Sequence, residues 1–357
     1  MGVLSGVKVL EFSALGPVPW CGMLLADMGA SVVRVERPGE ADAPDRLGAL
    51  KRGRHVVALD LKSPQGRDDA LALAARADLL MEGSRPGVME RLGLGPEACH
   101  ARNPRLVYGR MTGWGQTGPL AQRAGHDINY ISLTGALHAI GPADRPVPPL
   151  NLVGDFGGGG AFLAIGMLAA LLECRAGGRG RVVDAAMVDG AASLMAMVFN
   201  RMNLGQWADE RSSNALDGGA PWYGAYATSD GKFMAVGANE PQFYARFVQG
   251  LGLDESTLPD RADRAQWPEL RRRFAAILAT RTRAEWTATF DAVDACVSPV
   301  MSLAEAPLHP HLAARATFAG HDGKPVPSVA PRFVGEAPQP AGAWRAASVE
   351  EALALWR

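Results

Sequence analysis

The sequence predicts an α/β fold, in which a parallel, doubly wound sheet forms the larger part and a smaller α+β domain follows. Three observations predict it. Short apolar β-runs recur about every 25 residues through the first 112 residues, with helix-like segments between them, the rhythm of βαβ units. Runs such as Val56, Val57, Ala58, Leu59 are continuously apolar, as suits strands covered on both faces. After residue 125 the pattern changes to apolar helical stretches. A hairpin signal, Ser229-Asp230-Gly231, then opens a second region.

Taken in order, residues 7–12 read as the first strand, followed by a Gly/Pro turn and a helical stretch over 21–28. Strands are expected at 32–36, 56–60, 78–82 and 106–111. A helix over 63–76 has Ser63 as cap and Pro64 at its first position. Residues 128–140, 161–172 and 182–202 read as helices, and the last two are apolar almost all round. Such helices belong in a core or an interface. A Pro-rich loop fills 142–149. In the second region, β-runs at 223–228 and 232–237 precede helices over 241–250, 268–280 and 283–292. Prolines recur through 299–340 as an extended return, and a last helix covers 349–356. The expected organisation is a large domain over 1–200, completed by about 310–357. Then come a linker over 201–220 and a small α+β domain over 221–295. Residues 296–357 form the return linker and the C-terminal part of the large domain.

Composition narrows the function. Of the 357 residues, 48% are hydrophobic and 20% charged, enough for a sizeable core. Lys+Arg is 36 against Asp+Glu 37, a net charge of −1, so the basic footprint of a general nucleic-acid binder is missing. Four dispersed cysteines without a CxxC pair fit a reducing, cytoplasmic compartment. The N-terminus shows no secretory pattern. Residues 156–172 carry no charge, but 17 residues opening on four glycines read better as a buried core helix than as a membrane span of about 20.

The first βα turn, Ala14-Leu15-Gly16-Pro17-Val18-Pro19, is a poor nucleotide fingerprint. G-x-G-x-x-G supplies a tight turn and close approach to a pyrophosphate. Here one glycine remains, and two prolines remove backbone donors. Glu36 occupies the ribose-binding position of that motif, but without the glycines it says little. No Walker A, G-x-S-x-G or H-E-x-x-H motif occurs. His309 and His311 have no nearby Cys or Asp, so no metal site is expected.

Three residues stand out for chemistry. His126, before an apolar helix, sits where the helix dipole favours neutral imidazole, and a neutral His is a base near pH 7. Equally, Asp127 serves as an N-cap with His126 a bystander. Asp155 is a lone carboxylate before four glycines. Burial raises such an acid and a helix N-terminus lowers it, and capping is its alternative role. The glycines allow a helix or a ligand carbonyl to approach the backbone. Glu240 precedes the first helix of the second region, where a capping acid is the ordinary role. Basic residues cluster at strand ends: Arg37, Lys51, Arg52, Arg54, Lys62, Arg85 and Arg91. Parallel sheets bind ligands at such ends, and these side chains suit phosphates, although each alone also reads as solvated rim.

The runs Gly113-Trp114-Gly115-Gln116-Thr117-Gly118-Pro119, Gly125-His126-Asp127-Ile128-Asn129-Tyr130 and Leu152-Val153-Gly154-Asp155 resemble the family III CoA-transferase superfamily, most closely its α-methylacyl-CoA racemase branch. Leu4-Ser5-Gly6-Val7, Glu82-Gly83-Ser84-Arg85-Pro86-Gly87-Val88, Val183-Asp184-Ala185-Ala186-Met187-Val188-Asp189-Gly190 and Asp217-Gly218-Gly219-Ala220-Pro221 extend the resemblance over nearly the whole chain. It implies a Rossmann-like large domain that binds CoA, and a small domain joined to it by long helical linkers. Two chains would interlock as a homodimer with each active site between subunits. CoA would be part of the substrate, with no separate cofactor and no metal. Its phosphates would lie on Arg37, Lys62, Arg85 and Arg91. Main-chain contacts would come from Leu59, Gly83 and Met111, and further contacts from Gly125, Asp127 and Tyr130. His126 and Asp155 would be the two bases that exchange the C2 proton of a 2-methylacyl thioester. Glu240 of the partner subunit would orient His126, and an N–H near Asp127 would hold the thioester oxygen.

Competing expectations remain. A transferase of the same superfamily would use Asp155 as acyl nucleophile and need no second base. A CoA-binding protein without turnover could dispense with any of the three. A nicotinamide oxidoreductase is disfavoured by the Gly16-Pro17 turn. Met187, Met195, Met197 and Met202 form either an adaptable acyl surface or ordinary core.

Overall fold

The computed structural model describes residues 2–40, 47–321, 323–335 and 339–357. It divides into two compact units. The first comprises Met1–Thr134, Leu150–Met195 and His309–Arg357; the second comprises Gly135–Pro149 and Ala196–Leu308.

In the first unit, strands β1 (Lys8–Phe12), β2 (Ser31–Glu36), β3 (Arg54–Ala58), β4 (Leu79–Glu82), β5 (Val107–Thr112), β6 (Val182–Ala186) and β12 (Arg345–Ala346) form one sheet. Its order is β12-β3-β2-β1-β4-β5-β6, and every pairing is parallel. Side chains alternate across a strand, and here both faces are buried. Val9, Leu79 and Val107 face one core with Cys21 and Leu25 of α1 (Pro17–Asp27) and Met167 of α7 (Phe162–Arg175). Leu10, Leu80 and Tyr108 face the other, with Leu73 of α2 (Pro64–Ala74), Cys99 of α4 (Pro96–Arg102) and Ala352 of α14 (Val349–Leu355). Two cores on opposite faces explain why the strands read as unbroken apolar runs. The predicted cap of α2 is present: Ser63 Oγ accepts from Gly66 N at 3.0 Å. The C-terminal return closes the sheet through β12, and Trp356 Nε1 donates to Ser31 Oγ at 3.0 Å.

Strand order reverses between β1 and β4. Loops leaving the C-terminal ends of these two strands diverge to opposite sides and leave a crevice, the usual ligand site of such sheets.

Four expectations need correction, the fourth at Asp155. Residues 182–202 are not one helix. Val182–Ala186 is edge strand β6, with Gly109↔Val183 and Met111↔Ala185 in register, and α8 (Met187–Leu194) and α9 (Ala196–Asn203) follow. Nor is α9 buried in this chain: Met197 is 50% and Phe199 43% exposed. The segment 128–140 breaks at Gly135, whose φ of 81° ends the run between α5 (Asp127–Leu133) and α6 (Ala136–Ala139). Finally, residues 135–149 and 196–200, placed in the large domain by sequence, cluster with the second unit. There Arg211 Nη1 donates to His138 O at 2.9 Å and its Nε to Pro142 O at 3.3 Å.

Asp155 does not precede its helix but lies inside one. Leu152–Ala161 is a π-helical stretch running directly into α7. Together, Leu152–Arg175 is long and apolar enough to cross a membrane by length and composition, at mean hydropathy 1.6. Here Leu163 and Met167 fill the space over Gly109 on β5, as in a core helix.

The second unit holds the antiparallel sheet β7 (Tyr223–Ala227), β8 (Phe233–Gly237) and β9 (Val297–Pro299). Helices α10 (Pro241–Gly250), α11 (Trp267–Leu278) and α12 (Arg283–Asp291) pack on it through Phe247, Phe274, Trp286 and Phe290. The predicted hairpin at Ser229-Asp230-Gly231 is formed, with Gly231 at φ 72°.

Candidate active site

A cavity of about 390 Å³ opens in the first unit at the switch point, within the size range of small-molecule sites. Leu15, Pro17 and Val18 line it after β1, residues 83–86 after β4, and Met111, Thr112, Gly113 and Trp114 at the end of β5. Arg123, Gly125, His126, Tyr130 and Met187 complete the wall.

Local packing fixes the His126 side of this wall. Tyr130 OH donates to Gly125 O, and its ring meets Trp114 edge-on at 4.8 Å between centroids. A Cβ on Gly113 would lie 2.1 Å from the Tyr130 ring and one on Gly125 2.7 Å from it, so these two glycines make room for this tyrosine. His126, not Asp127, is the N-cap of α5. Its extended backbone N–H donates to Asn129 Oδ1 at 3.0 Å, and its ring is left exposed to the cavity.

Asp127 is buried and turned inward. Its Oδ2 accepts the backbone N–H of Asp155 at 2.7 Å, while its Oδ1 is buried without a hydrogen-bond partner. The Asp155 carboxyl is half-buried and takes a bond from Asn151 Nδ2 at 3.2 Å. It lies against Gly16, where a Cβ would come within 3.2 Å of Oδ2. That contact, and φ 67° at Gly16, explain the single glycine that the nucleotide motif could not. Burial raises the Asp155 pKa above the ordinary carboxylate value. The Asn151 bond opposes this, the Asp127 charge adds to it, and His126 opposes it again. The helix-cap role considered for Asp155 is therefore not what its side chain does.

Of the residues singled out by sequence, Gly83, Arg85, Met111, Gly125, His126 and Tyr130 line the cavity. Asp155 and Asp127 are not among the lining residues; Asp155 lies against Gly16, between the lining residues Leu15 and Pro17, and within electrostatic reach of His126 and Asp127. Arg37, Leu59 and Lys62 follow the C-terminal ends of β2 and β3. Arg91 ends α3 (Val88–Arg91), on the same edge of the sheet. Arg37, Lys62, Arg85 and Arg91 are exposed, whereas Leu59 is buried and donates its N–H to Glu36 O. Glu240 belongs to the second unit as the exposed N-cap of α10, and its carboxylate makes no capping bond.

The remaining basic residues are not phosphate ligands. Arg54 and Arg34 pair with the fully buried Glu11, Arg34 and Lys51 with Glu36, and Arg52 with Asp27. Arg34, Lys51, Arg52 and Arg54 are all 5% exposed or less. Glu36 is consumed as well, so no acid is free at the ribose position. Sequence shows charge but not its partners. The roles of Gly16, Asn151, Trp114 and Arg123 were missed, though the 151/155 spacing of one helical turn signalled the Asn151 contact. Among the described residues no group of three His, Cys, Asp or Glu could hold a metal ion.

Glu82, at the end of β4, anchors the cavity loop. It is 1% exposed, accepts Ser84 N–H at 2.6 Å, and faces Arg110 Nε at 3.4 Å. Arg110 also holds Glu90 at 2.8 Å. Burial, partly countered by Ser84 and Arg110, pushes Glu82 from 4.5 to about 7. Between these values the folded chain binds more protons than the unfolded one, so stability falls as pH rises through that window. The cost is complete above about pH 7 and reaches up to about 3 kcal/mol at 1.36 kcal/mol per pH unit. Thermal unfolding of Glu82→Gln should lose this slope, because the amide still accepts from Ser84 and Arg110 keeps Glu90. A slope unchanged from wild type between pH 4.5 and 7 would place the titration elsewhere.

With this geometry in hand, the relatives are informative. The chain is 48% identical to α-methylacyl-CoA racemase of Mus musculus, over 92% of this chain and 85% of that protein. It is 47% identical to the Homo sapiens protein of the same name, over 88% and 82%. In fold it is similar to a CAIB/BAIF family protein from Brucella suis, with TM-score 0.84 at 24% identity over 99% and 98% of the two chains. The model for CoA-transferase family III matches residues 4–346. The chain belongs to the family III CoA-transferases.

Proposed function

We propose that this protein is a racemase that interconverts (2R)- and (2S)-2-methylacyl-CoA thioesters by 1,1-proton transfer. The observation that carries the proposal is the pairing of two proton carriers at one end of the cavity. His126 lines it, and the Asp155 carboxyl sits against Gly16, between the lining residues Leu15 and Pro17, where burial first and then the Asp127 charge raise its pKa. Inversion needs one carrier ionised and one protonated, on opposite faces of C2. The two similar racemases, matched over more than four-fifths of their length, support the substrate class.

In this reading neutral His126 takes the C2 proton of one antipode while protonated Asp155 delivers a proton to the other face. The roles reverse for the second antipode. The enolate oxygen is held by the first N–H groups of α5, which no intrahelical carbonyl satisfies. Exposed Arg37, Lys62, Arg85 and Arg91 hold the CoA phosphates, and residues 83–84 and 111 supply main-chain contacts. Glu240 of the partner subunit orients His126 in a homodimer. The thioester itself acidifies C2, so no metal, flavin or nicotinamide takes part. Four free thiols suit a reducing cytoplasm. A second reading, with Asp155 attacking the thioester as an acyl nucleophile, is favoured by the family's name alone.

The test is deuterium uptake at C2 of a 2-methylacyl-CoA in D₂O without an acceptor acid. Uptake with loss of optical purity is expected. CoA transfer to an added carboxylic acid, with no uptake, would replace the racemase with the transferase.

A further inference from the structure

We infer that Asp127 is a positioning residue for Asp155: its buried carboxylate fixes the backbone of Asp155 and sets a negative charge beside the Asp155 carboxyl. The inference deepens the racemase proposal and rests on it for its kinetic consequence only.

The geometry is specific to one side chain. Asp127 Oδ2 receives the Asp155 N–H at 2.7 Å. A Cβ on Gly154 would stand 2.6 Å from the same oxygen and 2.9 Å from Asp127 Cγ, so the carboxylate packs flat on the π-helical backbone. The residue is 6% exposed, and its Oδ1 is buried without a partner. A carboxylate with one unsatisfied buried oxygen is a costly group. An asparagine at 127 would make the same bond to Asp155 N–H without the charge, so the bond alone does not call for an acid. What the acid adds is a negative charge beside a second carboxyl, which disfavours ionisation of its neighbour. The groups facing Asp155 are few. His126 and Asp127 come from α5, with Tyr130 behind them and Arg85 sharing their field. Asn151 comes from its own helix. Gly16 and Pro17 bring no charge from the β1 side, and the charged residue of α8, Asp189, is exposed. Burial and Asp127 raise the Asp155 pKa, while His126 and Asn151 lower it.

This division of labour predicts opposite effects from two conservative changes. Asp127→Asn keeps the backbone bond and removes the charge, so Asp155 ionises at lower pH. Asn151→Ala removes the bond that favours the ionised form, so Asp155 ionises at higher pH. The direct readout is ¹³C NMR titration of carboxyl-labelled protein, with the Asp155 resonance assigned by its loss in Asp155→Asn. The expected midpoint falls in Asp127→Asn and rises in Asn151→Ala. In the racemase assay the acid limb of kcat/KM should move down with Asp127→Asn. The shift should be equal for both antipodes, because their equilibrium constant fixes the ratio of the two kcat/KM values. A midpoint unchanged in Asp127→Asn, in a protein that unfolds as sharply as wild type, overturns the assignment. A shifted midpoint in a protein that exchanges no C2 proton would leave Asp127 its role and remove the racemase. A purely structural Asp127 would alter kcat without moving either the midpoint or the acid limb.

Discussion

Replacing His126 with alanine should abolish racemisation, with kcat falling by about 10²–10⁴-fold, the usual contribution of a positioned general acid or base. The ring is exposed on the cavity wall. In His126→Ala the α5 cap keeps the bond that the residue 126 backbone N–H donates to Asn129 Oδ1 and loses only the side-chain half of the capping box, so the fold should be retained with a small loss of stability. Asp155→Asn should be equally inactive in inversion. The informative measurement is the residual exchange. With two bases on opposite faces, each variant keeps one. His126→Ala then leaves Asp155 able to remove and return a proton on its own face, giving exchange without inversion for one antipode. Asp155→Asn does the same through His126 for the other. Opposite surviving antipodes in the two variants establish two bases. Loss of both exchanges in Asp155→Asn, with full exchange in His126→Ala, would remove His126 from the mechanism. Transfer of CoA to an acceptor acid that survives His126→Ala but not Asp155→Asn would identify an acyl nucleophile.

Legibility in the sequence followed physical cause. The strands β1 to β5 were visible because both faces of each are buried, which forces continuous apolar runs at βαβ spacing. β6 was not. As an edge strand it leaves Val182 and Asp184 exposed, and its run merges with the apolar α8. The four glycines signalled close approach, but not what approaches. Gly158 meets α8 and Gly160 meets Trp20 of α1, contacts between segments distant in sequence. His126 and Asp155 could be named as candidates because a polar group before an apolar run is conspicuous. Their relation through Asp127 was not legible, because it depends on which α5 residue turns inward: His126 took the cap and Asp127 the core. The basic residues failed for the same reason. Arg52 and Arg54 resemble Lys62 in sequence, yet burial pairs the first two with Asp27 and Glu11 and leaves Lys62 in solvent.

Gly190→Ala should be the most damaging small substitution away from the chemical groups. The new Cβ would stand 1.9 Å from Gly158 O and 2.6 Å from Gly158 C. Both are backbone atoms, so no rotamer change relieves the clash, and one of the two helices must move. Overpacking of this kind costs about 1–3 kcal/mol, sometimes more. The residue that shifts with Gly158 is Asp155, three positions earlier on the same π-helical stretch, held between Gly16 and Asp127 Oδ2. Stability and activity therefore fall together, but not in proportion. A misplacement of about 1 Å can cost 10²-fold in rate, which exceeds what a partial loss of stability removes at 25 °C. Gly320→Ala, where a Cβ meets nothing within 4 Å, is the matching control and should stay within about 0.5 kcal/mol of wild type. The comparison needs only thermal unfolding and the C2 exchange rate for the two variants. Gly190→Ala with wild-type melting and undiminished exchange would mean that the Gly158–Gly190 contact does not set the position of Asp155. A lowered melting temperature with proportionately lowered exchange would reduce the contact to a stabilising one.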